Sequence, residues 1–188
     1  MKDFMPKFFQ VFYKLCLTIL IVFGFRNMSI SQNISDSTKT KYENSNHKLT
    51  TQISKNWTLQ DEFENASMNV FIVQWILPKI YSEIEKADIA NAVSVTCLAD
   101  KTIKNVKNLV DYEFSRISDV ITKKEKLADT TTSYTLYTKI DGLEYKSKYY
   151  FLHKNEVGYV INFTATEGTY DKNLSKFEEF YHGLIITN

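Results

Sequence analysis

The chain has 188 residues, 44% apolar, 14% aromatic and 24% charged, too many large apolar side chains for disorder and enough length for one compact domain. Five Gly and two Pro exclude collagen-like and Gly/Pro-rich low-complexity chains. A formal charge of +1 excludes a dedicated nucleic-acid binder held by phosphate contacts.

The first 31 residues read as an export leader. Lys2, Lys7 and Lys14 form a basic start, and Leu15 to Phe25 is an apolar run of the length a signal-peptide core needs. A helix over that run would span about 17 Å, short of a ~30 Å hydrocarbon layer. Ser29-Ile30-Ser31 offers small residues for cleavage before Gln32, so a periplasmic or secreted protein is expected. The alternative is an uncleaved anchor from Phe8 to Phe25, the one route by which this chain would meet a membrane. Cys16 has no lipidation context. Without the leader, the charge balance turns from +1 to weakly acidic, because Lys2, Lys7, Lys14 and Arg26 leave with Asp3. Cys97 is then alone, so no internal disulfide can form.

Gln32 to His47 is polar, with Ile34 and Tyr42 as its large apolar residues, and reads as a flexible tether ahead of a single domain over 48–188. Alternation at Leu49, Thr51 and Ile53 predicts a strand, and Asn56-Trp57 a turn into a second strand at Thr58 to Gln60. Asp61, Glu62 and Glu64 crowd its exit as a solvated acidic turn. Phe71 to Leu77 is apolar except at Gln74 and reads as a buried strand stopped by Pro78. The segment 78–91 is a short helix or an ordered loop, since Ile80, Ile84 and Ala87 are helically spaced. Val93, Val95 and Cys97 alternate as another strand.

Val106, Leu109, Val110, Phe114, Ile117 and Ile121 recur at three- and four-residue steps and predict a helix from about Lys104 to Val120. Three antiparallel strands follow: Tyr134 to Ile140, Glu144 to His153 and Val157 to Ala165, joined at Asp141-Gly142, a strong hairpin signal, and at Asn155-Glu156. A last helix runs from Asp171 as N-cap to Gly183, with Leu174, Phe177, Phe180, Tyr181 and Leu184 inward and Glu178 and Glu179 in water. Strands with two covering helices define an α+β layered sandwich, an antiparallel sheet packed against helices.

The strand Tyr145 to Leu152, the run Gly158-Tyr159-Val160-Ile161-Asn162-Phe163-Thr164-Ala165, Tyr170 and the helix carrying Phe177 and Phe180 together resemble the PsbP-like superfamily. Trp57, after a first short strand, fits too. The resemblance covers Leu49 to Ile186 and implies an antiparallel sheet between helices. It also implies a role among extrinsic photosystem proteins, Ran-binding proteins, small bacterial periplasmic proteins and effector chaperones. Its motifs are core positions, so no site residue is carried over. No Pro precedes Trp57, and the last helix ends in Gly183-Leu184-Ile185, both departures from the pattern.

Chemistry is sparse. Cys97 and His153 form the only candidate nucleophile and base, and Cys97 in an alternating apolar strand reads as a small buried hydrophobe. His153 and His182 lack metal-ligand spacing, the acidic cluster lacks the Gly and bidentate Glu of a calcium loop, and no phosphate loop or Ser elbow occurs. Nothing calls for a cofactor. Tyrosine is the abundant functional residue. Alternation puts Tyr145, Ser147, Tyr149 and Phe151 on one face of their strand and Lys146, Lys148, Tyr150 and Leu152 on the other. If one face is uncovered, Tyr145, Lys146, Lys148, Tyr149 and Tyr150 offer a Tyr/Lys surface for a protein or glycan partner. The leading expectation is an exported, non-enzymatic binding or assembly module using that face or the 78–91 segment. The alternatives are a chaperone or immunity protein shielding an apolar segment, and a Cys97/His153 enzyme.

Overall fold

A computed structural model describes residues 39–127, 132–140 and 142–187. The leader and the start of the tether lie outside the described residues. The strands are β1 (Lys39–Asn44), β2 (Leu49–Ser54), β3 (Thr58–Asn65), β4 (Val70–Ile76), β5 (Ile80–Ser82), β6 (Ala87–Ile89) and β7 (Ala92–Leu98). Helix α1 (Val106–Arg116) follows, then β8 (Ile121–Lys126), β9 (Ser133–Ile140), β10 (Leu143–Lys154), β11 (Val157–Thr166), helix α2 (Glu167–Gly183) and β12 (Ile185–Ile186).

A seven-stranded sheet in the order β3-β4-β7-β11-β10-β9-β8 forms the middle layer, and every pairing in it is antiparallel. The adjacent inner strands β4, β7 and β11 are the most apolar, as strands buried on both faces must be. Cross-strand rows such as Phe71–Cys97–Tyr159 and Val73–Val95–Ile161 build one face. On it sit Tyr170, Phe177 and Phe180 of α2 and Leu49 and Ile53 of β2, all within the main core. On the opposite face, Phe114 of α1 packs edge-on against Tyr134 at 5.0 Å and Phe151 at 5.5 Å. Helix α1 approaches closely because β11 carries Gly158, where a Cβ would stand 2.7 Å from Leu109 Cδ1. The result is an α+β sandwich with a helix on each side of the sheet.

The meander β9-β10-β11 stands as expected, with Gly142 at φ 84 in the first turn. Several elements differ. The tether ends early, because β1 pairs with β2 and Tyr42 packs edge-on against Trp75 of β4 at 5.0 Å while its hydroxyl donates to Glu62 Oε1 of β3 at 2.8 Å, which holds β1 against the seven-stranded sheet. Helix α1 is shorter than its apolar spacing predicts. Asn105 caps it by accepting from the Asn108 N–H at 2.9 Å, and Ile121 begins strand β8, whose Lys-rich run hid it. The acidic stretch is no turn: Asp61, Glu62 and Glu64 belong to strand β3. The 78–91 segment is neither helix nor loop but the hairpin β5-β6. Helix α2 starts at Glu167, four residues before the expected cap Asp171, because β11 runs straight into it. Glu178 does not face water: it accepts from the Tyr150 hydroxyl at 2.7 Å and pairs with Lys148.

Candidate interaction site

Both faces of β10 are covered, so alternation placed its side chains correctly but no open Tyr/Lys face results. Tyr145 and Tyr149 are buried on the α1 side, Tyr149 with its ring 6.3 Å from that of Phe114. Tyr150 stacks on Tyr181 of α2 with centroids 3.6 Å apart, and burial together with Glu178 pushes its hydroxyl well above the usual tyrosine range. Lys148 is bound to Glu178, and Lys146 Nζ lies 4.2 Å from the Tyr170 ring centroid. These side chains fasten α2 to the sheet.

Cys97 and His153 cannot act together. Register places Cys97 opposite Tyr159 and His153 opposite Gly158, neighbouring residues of β11 whose side positions lie on opposite faces. Cys97 is buried, and that burial pushes its thiol up to about 12. His153 Nε2 lies 2.9 Å from the Ile103 carbonyl oxygen. Among the described residues, no group of three or more His, Cys, Asp and Glu side chains could hold a metal. Glu62 is engaged by Tyr42 and by Asn44 Nδ2 at 2.9 Å, and Glu64 by His47 at 3.5 Å.

The 78–91 hairpin remains, and it is held from beneath. Its neck closes where the Leu77 N–H donates to the Asn91 carbonyl at 2.9 Å. Asn91 and Thr169 are both fully buried and bonded twice: Thr169 Oγ1 donates to Asn91 Oδ1 at 2.8 Å, and Asn91 Nδ2 to the Thr169 carbonyl at 3.4 Å. Ser82, also fully buried, donates to the Glu85 carboxylate. That carboxylate takes the Gly168 N–H at 3.5 Å, sitting at the N-terminus of α2, where the free N–H groups and the helix dipole favour an anion. Burial works against a charged Glu85, but hydrogen bonds from Ser82 and Thr166 and backbone N–H groups outweigh it, leaving the carboxyl below its usual range. Lys172 Nζ donates to the Tyr81 carbonyl at 2.9 Å. Above this base Tyr81 and Ile84 point outward, 50% and 65% exposed.

Sequence reasoning marked the segment but missed its anchor: Ser82, Glu85, Asn91, Gly168 and Thr169. The available signal was Ser82-x-x-Glu85, a pairing that closes a turn, and the Gly ahead of a helix where a side chain would be expected.

The fold defined by this sheet, with α1 on one face and α2 on the other, is the PsbP-like fold. It is similar to the solution structure of PsbP (CyanoP) from the cyanobacterium Synechocystis sp. PCC 6803, with a TM-score of 0.50 and 13% identity over 85% of this chain and 99% of that one. Two weaker likenesses are a Pseudomonas aeruginosa protein of unknown function (TM-score 0.49, 11% identity, 80% and 98% covered) and the Saccharomyces cerevisiae Ran-binding protein Mog1p (TM-score 0.48, 9% identity, 80% and 96% covered). No family model and no curated protein matches the sequence.

Proposed function

We propose that this chain is an exported, non-enzymatic binding or assembly module that recognises a protein partner through the tip of the 78–91 hairpin. The observation that carries this reading is the pairing of an exposed Tyr81 and Ile84 with a neck of fully buried polar contacts. Isolated exposed apolar residues are ordinary. Two of them on a pre-positioned hairpin lose little conformational entropy on docking, and Tyr is among the residues that most often carry binding energy. The separation of Cys97 from His153 supports a non-enzymatic role, and the PsbP-like fold is compatible with it.

The test is site-specific photo-crosslinking in the native host, with benzoylphenylalanine replacing Tyr81 or Ile84, and Ser115 on exposed α1 as control. A discrete protein adduct at both hairpin positions, absent at Ser115, is expected. Equal labelling at all three positions, or none at the hairpin, overturns the proposal. N-terminal sequencing of the fractionated protein tests export: a mature chain starting near Gln32 outside the cytoplasm is expected, and an intact leader in the cytosol refutes it.

A further inference from the structure

The seven-stranded sheet ends in two outer strands of opposite charge. Among the described residues, β3 pairs only with β4 and β8 only with β9, so the outer side of each keeps backbone N–H and C=O groups to offer another strand. β3 carries Asp61, Glu62 and Glu64 and no basic residue. β8 carries Lys123, Lys124 and Lys126 against a single Glu125. A bulge interrupts each strand near its start, between Leu59 and Asp61 and between Ile121 and Lys123. Past the bulges, Asp61 to Asn65 and Lys123 to Lys126 run in unbroken register with their inner neighbours, so the regular part of each edge is the charged part.

Charge on an edge strand normally guards it against pairing, and here it guards selectively. Two copies of β3 side by side would set carboxylates against carboxylates, and two copies of β8 ammonium groups against ammonium groups, both destabilising. β3 beside β8 does the reverse. Glu62 and Glu64, opposite Val73 and Phe71, lie on the α2 face of the sheet, and Asp61, opposite Gln74, on the α1 face. Lys123, opposite Tyr137, lies on the α2 face, and Lys124 and Lys126, opposite Leu136 and Tyr134, on the α1 face. Each edge therefore carries its charge on both faces, and opposite charges meet whether the strands pair parallel or antiparallel. The carboxylates stay available: Asp61 is exposed, and the Glu64 side chain is 58% exposed even with His47 beside it. Because the two mating edges differ, the contact is head to tail. Every pairing leaves one acidic and one basic edge free, and growth does not stop at a dimer.

We propose that copies of this chain add edge to edge, β8 of one against β3 of the next, so that the sheet continues from molecule to molecule. The pairing is short and charged, so it is weak, concentration-dependent and screened by salt. It does not involve the 78–91 hairpin.

Sedimentation velocity on the protein as purified from its host reads this directly. At low salt the sedimentation coefficient is expected to rise across a concentration series without a plateau at the dimer. It should fall back to the monomer value in ~0.5 M NaCl, where the screening length is about 4 Å. Two paired substitutions locate the contact. Lys124→Glu with Lys126→Glu makes both edges acidic, and Asp61→Lys with Glu64→Lys removes the acidic edge while leaving Glu62 to hold Tyr42 and Asn44. Each variant alone should associate at least about tenfold more weakly than the parent. Mixed in equal amounts, the two should associate again, since acidic edges then meet basic ones; misfolding of either variant cannot produce that rescue. If Glu64→Lys unfolds the chain through its His47 contact, Asp61→Lys alone takes its place. A parent that stays monomeric at every concentration, a plateau at the dimer, association insensitive to salt or to the substitutions, or no rescue in the mixture overturns the proposal.

Discussion

Gly168 offers the sharpest test of how the 78–91 hairpin is held. It is the second residue of α2, and a Cβ there would lie 2.2 Å from Ser82 Oγ, 2.6 Å from Glu85 Oε2 and 3.2 Å from Ile84 Cβ. The Glu85 oxygen is the far end of a flexible side chain and can swing away. Ser82 Oγ can leave only by rotating about its Cα–Cβ bond, which breaks its hydrogen bond to Glu85, and Ile84 Cβ is fixed to the hairpin backbone, so Gly168→Ala must either break that bond or lift the hairpin. Two effects oppose one another. Alanine gains up to ~1 kcal/mol of helix propensity over glycine, less in a first turn, while forcing a methyl into a filled site costs about 1–3 kcal/mol. Moving Glu85 off the helix N-terminus removes a further ~0.3–1 kcal/mol. The collision wins, and a net loss of about 2 kcal/mol corresponds to a fall of roughly 4–8 °C in Tm for a chain of this size. Gly183, the last residue of the same helix, is the internal control: a Cβ there meets nothing within 4 Å, so Gly183→Ala should leave Tm unchanged or raise it slightly. Thermal unfolding by circular dichroism compares the two, and amide exchange of the hairpin should accelerate only in Gly168→Ala. A Tm for Gly168→Ala at or above that of the parent would show that the hairpin is not seated on α2 as described.

Four further outcomes follow from the same geometry. Glu156, at φ 62 beside Asn155 at φ 52, occupies a position of a tight hairpin turn that favours Gly, so Glu156→Gly should raise stability by about 0.5–1 kcal/mol in urea titration. The Glu85 carboxyl titrates below its ordinary value of 4.5 in the folded protein, so its contribution is complete above that pH and is lost as pH falls through the lower folded value; Glu85→Gln should flatten that part of the acid-unfolding curve. Burial pushes Tyr170 up to about 12, so its contribution is complete below the ordinary 10.0 and is lost as pH rises toward 12; absorbance titration of phenolate should show a late step coincident with alkaline unfolding. The Cys97 thiol, 2% exposed and pushed up to about 12, should react with an aromatic disulfide reagent at pH 8 orders of magnitude more slowly in the native protein than in urea; rapid native labelling would reopen a nucleophilic role.

What could be read along the chain was what depends on local period. Apolar residues repeating every second position marked β7 and the β9-β10-β11 meander, because a strand's side chains alternate whatever lies on either face, and a short continuous apolar run marked β4. The same rule put Tyr149 and Tyr150 on opposite faces. It did not say that α1 would cover one and α2 the other, since which helix packs where depends on contacts such as Tyr150 with Glu178 that are 28 residues apart. Strand β8 was missed because its exposed edge position lets it be Lys-rich rather than apolar, and β12 because a two-residue strand has no period to detect.

The candidate sites divide in the same way. Composition and pattern alone determined an α+β domain, in which Cys97 is the one cysteine among the described residues. Only the tertiary structure decided that Cys97 and His153 lie on opposite faces of the sheet, that the 78–91 segment is a hairpin seated on the start of α2, and that the acidic β3 and the Lys-rich β8 become the two outer strands of one sheet. The physical reason is common to all three. Backbone periodicity is a property of neighbours, whereas a site is made where elements far apart in sequence are brought together by burying a shared core.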